Sequence, residues 1–340
     1  MVASDGPVSG KVPAPRERGR TAMKRMTWRF RRGFKRASDA VVGKLAVGVL
    51  SGVRLADPDK MADFAGAVMR TIGPLLPENR IGRANLKAAF PQKSKAEIDA
   101  ILRSCWDNLG RMGVEFAHLD RLWHFDPEQP AERNRIEFAQ ADAERFLKLL
   151  HDGKPALVFA GHLGNWELAA VCATTYKLDS AVLYRRPNIA GIDRWLAATR
   201  TASMGELIST DLYAPVKISE ALARGAHVGM LVDQYYGRGV PVTFFGRRTM
   251  ANPLLARLAR HFDCPIHGTR IVRLPNHRFR AELSDEISPA RDADGKINIA
   301  GTMQIITSVI EDWVREYPEQ WLWMHRRWRT KEPEPVSGRS

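Results

Sequence analysis

His162 is followed five residues later by Glu167 in the stretch Phe159-Ala160-Gly161-His162-Leu163-Gly164-Asn165-Trp166-Glu167-Leu168. Imidazole is the side chain best suited to general-base work near neutral pH. A carboxylate folded back onto it would fix its tautomer and raise its basicity. The chemistry open to such a pair is removal of a proton from a hydroxyl or from water. Spacing alone is weak, because a histidine with a glutamate five residues on arises about once by chance in a chain of this composition. His277 and Glu282 supply a control at the same spacing. There His277, Phe279, Ala281 and Leu283 alternate with Arg278, Arg280 and Glu282 as in a half-buried strand, where an odd offset sends two side chains to opposite faces. That pair cannot cooperate.

The elements around His162 are different. An apolar run ends at Ala160, Gly161 and Gly164 allow a sharp turn, and Asn165 suits the cap of a following helix. His162 is then expected at the carboxyl end of a strand and Glu167 in the first helical turn, at the edge where open α/β sheets build their sites. Apolar runs at 155–160, 181–185, 227–233 and 265–274 read as strands. Helical patterns near 166–177, 193–203, 216–224, 253–261 and 299–316 alternate with them, which is an α/β order. Residues 40–150 read as helical. The best-defined helix begins at Ser94, where a capping box with Glu97 precedes Ile98, Ile101, Leu102, Cys105, Leu109, Met112 and Phe116. Another, over 139–151, stops at Asp152-Gly153. The expected organisation is a basic disordered tail (1–37), a helical membrane-associated region (38–150), an α/β core (151–330) and a second disordered tail (331–340).

The 340 residues carry a formal net charge of +14, so their partners are expected to be anionic: acidic lipid, a phosphorylated substrate, an acidic protein or nucleic acid. Residues 1–37 hold eleven Lys or Arg against Asp5 and Glu17. Such a run reads as plain disorder or as a polybasic segment drawn to anionic lipid, and Met26, Trp28, Phe30 and Phe34 among the charges favour the membrane. No nucleic-acid-binding signature accompanies the charge, and no nucleic-acid partner is expected. The apolar segment 40–56 is interrupted by Lys44 and Arg54, and reads as a helix lying on a bilayer rather than spanning it. Cys105, Cys172 and Cys264 form no CxxC pair, which argues against a disulfide framework or a structural zinc. No metal or redox cofactor is called for.

Asp233 and Gln234 end the apolar run HVGMLVD, again at a carboxyl edge, which places them beside the first motif; a bland capping role for Asp233 is the alternative.

The stretch GHLGNWE, residues 161–167, resembles the first block of the bacterial lipid A biosynthesis acyltransferases, the lauroyl and myristoyl transferase family. This family lies within the wider group marked by a histidine, four residues and an acid. Further blocks agree in order: Phe90-Pro91, Asn108 and Glu115 before the motif, then Tyr184-Arg185, Asp233-Gln234, Phe244-Phe245-Gly246 and 318–327, PEQWLWMHRR. The resemblance covers roughly residues 60–330. It implies a sheet flanked by helices, as in glycerol-3-phosphate acyltransferases, on the cytoplasmic face of the inner membrane. It implies His162 as general base with Glu167 as its partner, supported by Gly164 and Asn165, and an acyl chain delivered on acyl carrier protein to a hydroxyl of an anionic lipid A precursor. Arg185 is expected against Asp233 or a substrate phosphate. Arg326, Arg327 and Arg329 are expected to hold phosphates or the carrier's acidic helix, or else to be a solvated terminus. Trp321, Trp323 and Trp328 are core, membrane-interface or substrate residues. Phe244, Phe245, Val240, Val242 and Met250 are either core or the lining of an acyl tunnel. The segment 247–253 departs from the small, glycine-rich stretch common there.

Three other readings stay open at this level: an acyltransferase for a lysophospholipid or another glycolipid, a thioester hydrolase, and a non-catalytic basic membrane-binding protein. No GxSxG elbow supports a serine hydrolase.

Overall fold

The computed structural model describes residue 48 and residues 51–185 and 190–329, with the backbone alone for 190–196. The expectations for the tails 1–37 and 331–340, and for most of the segment 40–56, lie outside the described residues.

Helix α1 (Pro58–Ile72) opens on Asp57, whose side chain accepts from the N–H groups of Asp59 and Lys60. Helix α2 (Glu78–Ala89) follows, and then α3 (Lys95–Glu115), capped by the reciprocal Ser94 and Glu97 bonds that the sequence predicts. The helices α1 and α3 pack closely because Gly110 has no Cβ, which would lie 2.4 Å from the Ala65 carbonyl oxygen. A single turn, α4 (Leu119–Leu122), leads to the short strand β1 (Ile136–Glu137) and to α5 (Gln140–His151).

The core continues as β2 (Leu157–Ala160), α6 (Leu168–Thr175), β3 (Ser180–Tyr184), α7 (Ala190–Met204), β4 (Glu206–Ser209), α8 (Ala214–Ala223) and β5 (His227–Leu231). A hairpin of β6 (Val240–Phe244) and β7 (Arg247–Ala251) precedes α9 (Leu254–Phe262), β8 (Ile266–Arg273), β9 (Phe279–Leu283) and α10 (Ile299–Glu316). Seven strands form one mainly parallel sheet in the order β1-β9-β8-β2-β5-β3-β4, with the antiparallel pair at β8 and β9. The apolar runs that mark strands in the sequence are β2, β3, β5 and β8. The weaker β1 and β4 and the β6–β7 hairpin are not anticipated, because each is short or mixed in polarity.

A parallel sheet must be covered on both faces. Phe159 of β2 stacks on Trp313 of α10 with ring centroids 5.7 Å apart, and Ile218, Leu222, Leu255, Ile306 and Ile310 complete that side of the core. Helices α5 and α6 stand over the other face, and they do not fill it. Val158 and Ala160 of β2, Gly229 and Leu231 of β5, and Ile271 of β8 line a cavity of about 710 Å³ beneath them. Among the described residues no helix is long and apolar enough to cross a membrane.

Candidate active site

Parallel pairing of β2 with β5 sets Ala160 opposite Leu231. Two residues further along each strand the same register brings His162 opposite Asp233. The Nδ1 of His162 lies 2.7 Å from Asp233 Oδ1, and the His162 main-chain N–H donates to Asp233 Oδ2 at 2.7 Å. Trp321 Nε1–H donates to the same Oδ2 at 2.8 Å. Asp233 is almost fully buried. Burial opposes its charge, but the facing imidazole and these donors prevail and hold its carboxyl well below the usual range. An ionised carboxylate can only accept, so Nδ1 carries a proton, and in the neutral ring it is Nε2 that keeps its lone pair. That nitrogen lies 3.3 Å from Gln234 Nε2, on the lining of the cavity. Burial pushes the imidazole down, yet Asp233, with a smaller contribution from Glu167, raises it above the ordinary histidine value.

Glu167 does not take the place the sequence suggests. Its carboxylate pairs with Arg200, at 2.5 Å to Nη2 and 3.1 Å to Nε, and no hydrogen bond joins it to His162. The backbone explains this. Leu168 rather than Trp166 begins α6, so Glu167 is the residue preceding the first turn, and α7 brings Arg200 across to it. Arg200 also lies over the rings of Phe116 and Tyr184. Asp233 is therefore the residue that orients His162, and Glu167 acts on it through space.

The turn between β2 and α6 is held from outside. Gly164 has φ of +59°, and a Cβ there would lie 1.8 Å from the Ile271 carbonyl oxygen, which leaves glycine as the one residue that fits. Its N–H donates to the Gln320 carbonyl, and its carbonyl accepts from Asn108. Leu322 N–H donates to the His162 carbonyl, so the segment around Trp321 lies along the site like an added strand. Asn165 does not cap α6; it is buried, and its amide donates to Glu115 at 2.8 Å. Glu115 in turn accepts from Arg273, which also donates to Asn108.

The remaining expectations divide. Arg185 is exposed at the rim of the cavity and makes no contact with Asp233, whose acceptors are taken by His162 and Trp321. Arg327 is buried, donates to the Met250 carbonyl and stacks on Phe244; burial lowers its guanidinium to about 10. It is therefore core rather than a surface phosphate ligand, whereas Arg326 is exposed. Trp321 and Trp323 are fully buried. Phe244 and Phe245 pack against Trp321, Trp323, Trp328 and Phe90, so they are core, and the cavity lies on the opposite face of the sheet. The departing segment 247–253 is largely β7, whose pairing with β6 asks for strand-forming residues rather than glycine.

Arg200 and Arg273 are the functional neighbours that the sequence reading misses. Arg200 sits in an ordinary helical pattern with no local signal. Arg273 closes an apolar strand, where a buried guanidinium requires an acid, and that is the signal that could have led to Glu115.

A histidine held by a buried carboxylate, beside a cavity lined mainly by apolar side chains, is an arrangement that suits transfer or hydrolysis of an acyl chain. Residues 29–330 match the family described as bacterial lipid A biosynthesis acyltransferase, and the chain belongs to that family. It is an acyltransferase of lipid A and lipopolysaccharide biosynthesis. No individual curated protein matches the chain.

Proposed function

We propose that the protein transfers a fatty acyl chain from an acyl carrier protein thioester to a hydroxyl of a lipid A precursor, with His162 as general base. The observation that carries this reading is the bond between Asp233 and His162 Nδ1, which leaves Nε2 of the neutral ring as the proton acceptor in a residue that lines the cavity. A sugar-linked or hydroxyacyl hydroxyl is a poor nucleophile at neutral pH and needs a positioned base, whereas a thioester already carries a good leaving group.

In the proposed reaction, Nε2 takes the acceptor's hydroxyl proton as the oxygen attacks the thioester carbonyl. The imidazolium formed is stabilised by Asp233 and Glu167. The tetrahedral intermediate expels the thiolate, which recovers the proton from His162 and leaves an ester and a free thiol. No acyl-enzyme is needed. The acyl chain lies along Ala160, Ala169, Ala170, Gly229 and Val182, where small residues leave the room. Arg185 at the rim is the cation available to a substrate phosphate, and Arg326 is a second exposed candidate.

The reading is tested by mass spectrometry of products formed from acyl carrier protein thioesters with a tetra-acylated lipid A precursor or with lysophospholipids as acceptors. Ester formation on the lipid A precursor is expected. Transfer to lysophospholipids alone would replace this acceptor with a phospholipid one. Catalysis at the cytoplasmic face of the inner membrane, where acyl carrier protein is available, belongs to the same proposal.

A further inference from the structure

Leu212, Tyr213 and Val216, close together in the chain between β4 and the first turn of α8, are large apolar side chains that the fold leaves exposed, as are Leu231 at the end of β5 and Tyr236 beyond it. Leu212 is 94% exposed and Tyr213 70%. They lie at or after the carboxyl ends of β4 and β5, at the same edge of the sheet as His162 and Asp233. Thr210, Leu231 and Gln234 line the cavity itself, so Leu212 and Tyr213 stand just beyond its mouth.

This rim is built rather than frayed. Ser209 Oγ–H donates to Asp211 Oδ2 at 2.5 Å, and Tyr213 N–H donates to Asp211 Oδ1 at 2.9 Å. The next helix is anchored by buried Ala214 and Ile218. A turn pinned on both sides holds Leu212 outward, where a soluble surface would carry a polar residue. Arg185, which follows Tyr184 where β3 pairs with Ser209 of β4, and Lys217, one helical turn on from Tyr213, are exposed beside it, and neither makes an ion pair among the described residues. The acid of the rim, Asp211, is engaged in the turn. Apolar and aromatic tips ringed by cations fit the interface of an anionic bilayer. An acidic protein would be met by the cations alone and would give no reason for a pinned, protruding leucine.

We propose that this edge is the membrane-docking face, with Leu212 and Tyr213 entering an anionic leaflet so that the cavity opens directly onto its lipids. The proposal rests on the reading that the acceptor is a lipid. It also gives that reading a geometry, since the acceptor hydroxyl then reaches His162 without the lipid leaving the bilayer.

The test uses the full chain with Leu212→Cys labelled by an environment-sensitive fluorophore; Cys105, Cys172 and Cys264 are buried and leave the new thiol as the reactive one. A control label is placed at Lys154→Cys, before β2 at the opposite edge of the sheet. With phosphatidylglycerol vesicles the label at 212 is expected to shift to the blue and to be quenched by lipids carrying a mid-chain quencher, while the label at 154 stays in water. The double variant Leu212→Asp, Tyr213→Asp is expected to lose roughly tenfold or more in vesicle partitioning, and to keep its turnover on detergent-dispersed acceptor. Vesicle binding with a label at 212 that remains in water would overturn the proposal, as would a label that responds to acyl carrier protein and not to vesicles. The label response and the vesicle partitioning do not depend on catalysis, so an error in the assigned acceptor would leave the docking result standing.

Discussion

Glu115 and Arg273, 158 residues apart in the chain, close a two-contact ion pair at 2.5 and 2.8 Å beneath the loop that carries His162. Glu115 also accepts from Asn165, and Arg273 donates to Asn108, so one buried cluster joins α3, β8 and the β2–α6 turn. Removing one member of a buried pair leaves its partner uncompensated. Glu115→Ala is expected to destabilise the protein by about 3–5 kcal/mol, read as a lower urea midpoint. The small amount that folds should show a lower kcat with little change in KM.

Gly164→Ala brings a Cβ into the Ile271 carbonyl at a backbone position with φ of +59°. The strain alone costs about 1–3 kcal/mol, and relieving the clash requires the His162 loop to leave β8. A thermal melt should show destabilisation and an assay should show loss of turnover. The corresponding change at Gly153, whose Cβ would meet nothing within 4 Å, should leave activity intact despite its own positive φ.

How much of this was legible beforehand depends on which residues a local pattern can reach. The Ser94 cap, the strand ending at Ala160 and the helix over 299–316 follow from periodicity and capping, and the structure has them. His162 and Asp233 are each legible as residues closing an apolar strand. Their partnership is not, because it depends on β2 lying next to β5, a choice made by packing of the whole sheet. Glu167 lies near His162 in sequence without bonding to it for a related reason: α7 supplies Arg200 to its carboxylate from far along the chain. The cavity leaves no local signal because small residues such as Gly229, Ala169 and Ala170 make it, whereas the large Phe244 and Phe245 are core.

The Asp233 carboxylate, aided by Glu167, raises His162 above its ordinary value of 6.5 against the opposing effect of burial. A base must be unprotonated, so kcat/KM should rise with pH along a limb centred above 6.5. In Asp233→Asn the main opposing charge is gone and burial remains, so the limb should move to lower pH. The plateau rate should fall by about 10²–10⁴, because the tautomer is no longer fixed. Glu167→Gln should move the limb in the same direction by a smaller amount. The measurement is a pH–rate profile of all three proteins.

Arg200 and Glu167 form a largely buried pair. Each single alanine variant should cost about 3–5 kcal/mol of stability, and the double variant should cost clearly less than the sum, giving a coupling above about 1 kcal/mol in a double-mutant cycle. Additive losses would mean that the pair is not formed in solution.

A side chain built at Gly229 faces the cavity with only ordinary contacts to Val182 and Ala181. Gly229→Val and Gly229→Leu should therefore fold and should shift preference toward shorter acyl donors. The penalty on long chains should be about 0.8 kcal/mol per displaced methylene, read from kcat/KM across a series of acyl carrier protein thioesters.

Whether His162, oriented by Asp233, removes the proton from the acceptor hydroxyl is decided by comparing initial rates of acyl transfer for the wild type and His162→Ala. Both proteins should first be matched for fold by circular dichroism and for donor binding. Donor binding should persist while transfer falls by at least about 10²-fold and becomes nearly flat with pH. Transfer in His162→Ala at a rate close to the wild type, with its pH limb intact, would contradict that role.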